Sequence, residues 1–262
     1  MAIFEGAARR GGIRLTHGSV IGRLHRITMR RSLFLALRQT ALRRRDKNTM
    51  NRFYLLARLL GINIFFGSLL YCLTASAAQA PTILVLGDSL SAAYGINVDR
   101  GWVALLRERL AQAGYPHRVV NASISGETTT GGLSRLPAAL DAHHPGIVLI
   151  ELGGNDGLRA QPLKKMRANL EEMARLSKAH QAQPVIFEMR IPSNYGATYG
   201  EGFRTVFADV AKSAKLPMVP FWLATIATDP KSFQDDGIHP TEAVQPKLLD
   251  AVWPTLKPLL KK

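Results

Sequence analysis

At 262 residues the chain can hold one large domain or two small ones, and its net charge of +15 at first suggests a polyanionic partner. The distribution of that charge excludes a nucleic-acid footprint over most of the chain: residues 1–49 carry 12 Lys and Arg against two acids, whereas 81–262 carry 20 basic and 17 acidic residues. The single cysteine, Cys72, excludes an intrachain disulfide, a Cys-rich metal site and a thiol nucleophile within 81–262.

Residues 1–49 are Arg-rich and acid-poor around Leu33-Phe34-Leu35-Ala36-Leu37. They read as a basic membrane-surface helix or an organelle transit peptide, or else as a disordered or mis-assigned start ahead of a true Met50. The last is favoured, because a signal peptide belongs at the start of its chain. Residues 50–80 have the build of a secretory signal. Arg52 and Arg58 precede an apolar stretch from Leu59 to Leu73, and Ala75-Ser76-Ala77 and Ala78-Gln79-Ala80 both fit an A-x-A cleavage site. The apolar core is shorter than the roughly 20 residues a spanning helix needs. An uncleaved anchor is the alternative, and Tyr71 is too bulky for lipoprotein processing at Cys72. The expected product is periplasmic or secreted, with no stable membrane span in its mature part.

From residue 81 onward, apolar runs alternate with helical patterns, without repeats or low-complexity linkers. Strands are expected at 82–86, 117–121, 147–151, 184–190 and 217–220, and helices at 101–113, 130–141, 163–182, 199–214 and 241–260. Short Val/Ile/Leu-rich strands between helices predict right-handed βαβ units around a parallel sheet buried on both faces. The expectation is an α/β fold: one three-layer α/β/α sandwich with five strands over 81–262. Ligands of such sheets bind beyond the carboxyl ends of the strands, and four segments fall there.

Gly87-Asp88-Ser89 follows the first strand, where Gly87 would permit a tight bend that exposes the Ser89 hydroxyl. A serine needs a base to become a nucleophile. In Asp235-Asp236-Gly237-Ile238-His239-Pro240, the i, i+3 spacing can set Asp236 against Nδ1 of His239 and free Nε2 as that base. Pro240 would open the last helix, and Asp235 is a rival with a less suitable spacing. Gly126 and Asn155 could supply a backbone N–H and a side-chain amide to a developing oxyanion. Each segment alone also reads as a helix cap or plain turn, and for Gly87-Asp88-Ser89 alone that reading is the stronger.

Taken in order, Leu86-Gly87-Asp88-Ser89-Leu90-Ser91, Asn121 through Thr128, Glu151 through Arg159 and Asp235 through Pro240 resemble the SGNH (GDSL-type) hydrolase family over nearly all of 81–262. They are most like its thioesterase I, lysophospholipase and arylesterase branch. The resemblance implies a flavodoxin-like fold with Ser89 as nucleophile, His239 as base and Asp236 as orienting acid. It also implies an oxyanion hole formed by Ser89 N–H, Gly126 N–H and the Asn155 amide. Leu158, Ile191, Pro192 and Tyr195, in the loops after the third and fourth strands, are expected to border the acyl-binding cleft.

The expected activity is therefore hydrolysis of small-molecule acyl esters or thioesters, lysophospholipids among them, through an acyl-enzyme. No metal, organic cofactor or nucleic acid is called for, and a monomer is expected. A carbohydrate O-deacetylase of the same chemistry and a non-catalytic flavodoxin-like binding protein are the alternatives. The absence of G-x-G-x-x-G after the first strand and of a P-loop weighs against a nucleotide ligand, and the absence of G-x-S-x-G against a standard α/β-hydrolase.

Overall fold

The computed structural model describes Arg52, Leu55, Leu56 and residues 80–262. The basic segment 1–49 and nearly all of the expected signal 50–80 lie outside the described residues. Gln79–Lys262 form one compact unit. Its strands are β1 (Thr82–Gly87), β2 (Arg118–Asn121), β3 (Ile147–Glu151), β4 (Gln183–Phe187) and β5 (Met218–Val219). They form a single sheet in the order β2-β1-β3-β4-β5, and every neighbouring pair is parallel.

The six helices of this unit are α1 (Trp102–Gln112), α2 (Thr129–His143), α3 (Gly154–Leu158), α4 (Leu163–Ala179), α5 (Ala197–Ala214) and α6 (Gln245–Leu256). Helices α1 and α6 pack together on one face of the sheet, and α2, α4 and α5 pack side by side on the other. The sequence dictates these faces. Helix α4 buries Met166, Leu170, Met173 and Ser177, and α1 buries Trp102, Val103, Leu106 and Leu110, both at helical spacing. Between the layers, β1 and β3 are buried at every residue.

β2 differs from the expected doubly buried strand. It lies at the sheet edge, and only Val119 of its four residues is fully covered. The fourth strand ends at Phe187 rather than at 190, which releases Met189 to Pro192 into the cleft described below. The last helix begins at Gln245, not at Pro240. Pro240 instead forms an antiparallel bridge with Phe233, closing a loop that bears the Asp236–His239 segment. A 3-10 turn at Glu242–Val244 then leads into α6.

The chain leaves β1 for β2 on one side and then crosses to β3 on the other. The crevice between the ends of β1 and β3 is thus the topological switch point of the sheet. Ser89 and Asn155 stand on its two sides.

Candidate active site

The Ser89 turn is built against the end of β3. In the sheet register Gly87 faces Glu151. A Cβ on Gly87 would come within 2.6 Å of Glu151 Oε2 and 2.8 Å of the Ser91 side chain. Glycine is therefore required here for close approach, and its φ is not in the left-handed region. The approach lets Glu151 Oε2 accept from Asp88 N–H at 3.2 Å and from Ser91 Oγ at 2.6 Å. Asp88 Oδ1 accepts from Leu90 N–H at 3.0 Å, so this aspartate does cap the turn locally. Its Oδ2 reaches across the crevice to accept from Asn155 Nδ2 at 3.2 Å.

The opposite loop is organised by its own backbone. Asp236 Oδ1 accepts from the N–H groups of Ile238 and His239 at 2.8 and 2.9 Å. Its Oδ2 meets His239 Nδ1 at 2.6 Å. The backbone N–H of His239, then its ring and the N–H of Ile238, hold the Asp236 carboxyl down to about 2. His239 Nε2 lies 2.8 Å from Ser89 Oγ, across 150 residues of sequence. Asp235 makes no such contact. The Tyr94 ring lies over the imidazole with centroids 4.4 Å apart. Gln234 Nε2 donates to Tyr94 O at 2.8 Å and to Pro240 O at 3.2 Å, joining the serine turn to the histidine loop.

Asn155 lies in the short helix α3, a segment where the sequence pattern predicts no helix. Asp156 secures it, accepting from Thr129 N–H at 2.8 Å and Thr129 Oγ1 at 2.6 Å, with Asn169 Nδ2 donating in turn to Thr129 Oγ1 at 3.0 Å. Gly126 has φ +78°, a left-handed conformation that explains the glycine, since a Cβ there would meet only Arg159 Nη2 at 3.6 Å. Arg159 Nη2 donates to Gly126 O at 3.1 Å and steadies that peptide. Among the described residues, neither Ser89 N–H nor Gly126 N–H is engaged by another group. The serine edge thus offers free donors beside an alcohol, an imidazole and a carboxylate in one hydrogen-bonded row.

A cleft of about 730 Å³ opens on this row. Ser89, Asn155 and His239 line it, together with Leu158, Ile191 and Pro192 from the expected acyl wall and Phe221, Leu223 and Ile238 from the other side. Tyr195 is not part of the lining. Its hydroxyl donates to Leu158 O at 2.7 Å and braces the wall from behind. Among the described residues, no cluster of three or more His, Cys, Asp and Glu could hold a metal ion.

Asp88 and Glu151 carry no expected role in the sequence, although both stand in its recognisable segments. The usable signal was Glu151 itself, an acid closing the otherwise apolar run Ile147–Ile150 of a buried strand. Tyr94 and Gln234 had no comparable signal, because their contacts span 140 residues or more.

Residues 85–245 match the model of the GDSL-like Lipase/Acylhydrolase family. The esterase TesA of Pseudomonas aeruginosa is 50% identical over 194 residues, covering 74% of this chain and 96% of that protein. The thioesterase 1/protease 1/lysophospholipase L1 of Escherichia coli is 42% identical over 191 residues, covering 73% of this chain and 90% of that one. Among solved structures, the psychrotrophic esterase EstA from Pseudoalteromonas sp., inhibited by monoethylphosphonate, superposes with a TM-score of 0.66. It is 41% identical, and the match covers 68% of this chain and 97% of that one. With its sheet order, its four strand-end segments and these relatives in agreement, the chain belongs to the GDSL-like lipase/acylhydrolase family.

Proposed function

We propose that this serine esterase hydrolyses acyl esters and thioesters through a Ser89 acyl-enzyme, with His239 as base and Asp236 as orienting acid. The observation that carries this reading is the row from Ser89 Oγ to His239 Nε2 at 2.8 Å and from His239 Nδ1 to Asp236 Oδ2 at 2.6 Å. As Oγ bonds to the carbonyl carbon, its proton passes to Nε2, and Asp236 supports the imidazolium that forms. Charge gathers on the carbonyl oxygen, where Ser89 N–H, Gly126 N–H and the Asn155 amide act as donors. Collapse expels the alcohol or thiol, which takes the proton from Nε2. Water, deprotonated by His239, then cleaves the acyl-enzyme and restores Ser89.

Leu158, Ile191 and Pro192 form the acyl wall of the cleft, and Tyr195 supports it through Leu158. A cleft of about 730 Å³ with this apolar lining suits an acyl chain. Lysophospholipids and acyl-CoA are included in the substrate range because the Escherichia coli relative is named as a thioesterase and lysophospholipase. The composition of residues 50–80 supports their role as an export signal that delivers 81–262, as a monomeric hydrolase domain, to the periplasm or medium. N-terminal sequencing of the exported protein checks this, and a retained Met50 would refute it.

The catalytic reading is tested by a hydrolysis profile over p-nitrophenyl esters from acetate to palmitate, with an acyl-CoA and a lysophospholipid alongside. All turnover should collapse in Ser89→Ala, by about 10⁶-fold as for other serine nucleophiles. Undiminished turnover in that variant would overturn the mechanism.

A further inference from the structure

The reaction scheme leaves two carboxyl groups without a task, and they are buried side by side. Glu151 is wholly inaccessible and Asp88 is 2% exposed. Glu151 Oε2 takes the Asp88 N–H and the Ser91 hydroxyl, while its Oε1 has no partner among the described residues. Asp88 takes two N–H donors, one from Leu90 and one from the Asn155 side chain. The charged groups facing Asp88 are Glu151, His239 and Asp156, and Glu151 faces Asp88 alone. No Lys or Arg among them offsets the pair.

Two bare carboxylates at this depth would repel each other in a medium that solvates neither. Burial and the neighbouring Asp88 push Glu151 well above the usual carboxylic range. Burial also pushes Asp88 up, but only to about 6, because Leu90 N–H, the nearby His239 and the Asn155 amide draw it back. Each carboxyl accepts two donors, so hydrogen bonding alone does not divide them. The deeper burial of Glu151 and the nearness of His239 to Asp88 do, and the unpartnered Oε1 of Glu151 is the oxygen left to carry a hydrogen.

We propose that Glu151 and Asp88 share a single negative charge at neutral pH, with the proton on Glu151, and that Asp88 thereby serves as the positioning residue for the Asn155 amide. One Asn155 N–H is anchored on the Asp88 anion, which fixes the direction of the other toward the substrate oxygen. The same anion stands near His239, whose ring helps hold Asp88 ionised. Neutral Glu151 holds the Asp88 backbone and Ser91 without adding a second repelling charge. This inference rests on the reading of Asn155 as an oxyanion donor and Ser89 as nucleophile.

Infrared difference spectroscopy at pH 7 tests the proton directly, and kinetics on p-nitrophenyl acetate test the positioning. A protonated-carboxyl stretch should be present in the wild type and in Ser89→Ala. It should persist in Asp88→Asn and vanish in Glu151→Gln, whose amide copies the neutral acid. Glu151→Gln should keep kcat within about threefold, whereas Asp88→Asn should lose kcat by about tenfold or more with KM little changed, approaching the roughly 10²–10³ of a lost oxyanion donor. Absence of the band from the wild type, its survival in Glu151→Gln, or equal kcat losses in the two variants would overturn the proposal. Should Glu151→Gln not fold, Glu151→Asp takes its place, and a band unmoved from its wild-type frequency there would overturn the proposal equally. Turnover by Ser89→Ala would instead defeat the underlying mechanism and leave the infrared result standing.

Discussion

The two halves of the proposed catalytic row are held in opposite ways. Ser89 sits on a turn whose support comes from far along the chain and from deep inside: Glu151 and Asn155 reach it across 60 or more residues. His239 sits on a partly exposed loop whose support is almost wholly local, since Asp236 binds the residues two and three positions ahead. Burial makes the first half unyielding and electrostatically costly. The second obtains its geometry from a short turn at little cost, because water still solvates much of Asp236. Ser89 and His239 thus share one hydrogen bond while depending on different parts of the sequence.

The contrast can be broken most severely from the local side. Asp236→Asn should leave the fold intact and lower kcat by about 10⁴-fold, as loss of the orienting carboxylate does in other triads. A p-nitrophenyl acetate assay with a circular dichroism spectrum checks this, and a loss below tenfold would remove Asp236 from the row. On the buried side, Gly87→Ala should destabilise the protein by about 1–3 kcal/mol through overpacking against Glu151 and Ser91. Urea denaturation reads that cost, and an unchanged midpoint would show that the turn can yield.

Acidity distinguishes the halves by sign. The Asp236 carboxyl lies at about 2 in the folded protein, below its unfolded value of about 3.9. Its contribution is present above pH ~4 and is lost as pH falls through about 2. Asp88, raised to about 6, behaves in reverse. Its contribution is complete below pH ~4 and is lost as pH rises through about 6. Urea midpoints measured from about pH 3 to 7 should fall with rising pH more in the wild type than in Asp88→Asn. Equal slopes would contradict the burial argument. The smallest effect belongs to the link between the halves. Gln234→Ala removes two hydrogen bonds and should cost about 1–2 kcal/mol, with kcat reduced roughly tenfold or less.

The same contrast explains what could be read in the sequence. The Asp236–His239 pair was legible because its geometry is a property of four consecutive residues. The sheet was legible because β1 and β3 are unbroken apolar runs between helical patterns, and strand-end placement followed from the parallel topology. The partners of Asp88 and Glu151 were not legible, because strand register decides them and a local pattern does not encode register. Helix α3 was missed for a related reason. Gly154 to Leu158 contains two glycines and would not hold as an isolated helix, but Asp156 ties it to Thr129. The last helix starts late because Pro240 pairs with Phe233 across a loop closure that its sequence position does not announce.

The Gln234 amide, bridging Tyr94 and Pro240, makes the reacting groups one mechanical body. Tyr195 holds Leu158 on the short helix that also carries Asn155, and Asn155 is bonded to Asp88 beside the serine. A change of side chain at Leu158 or Tyr195 should therefore be felt at the Asn155 amide as well as in the room left for the guest.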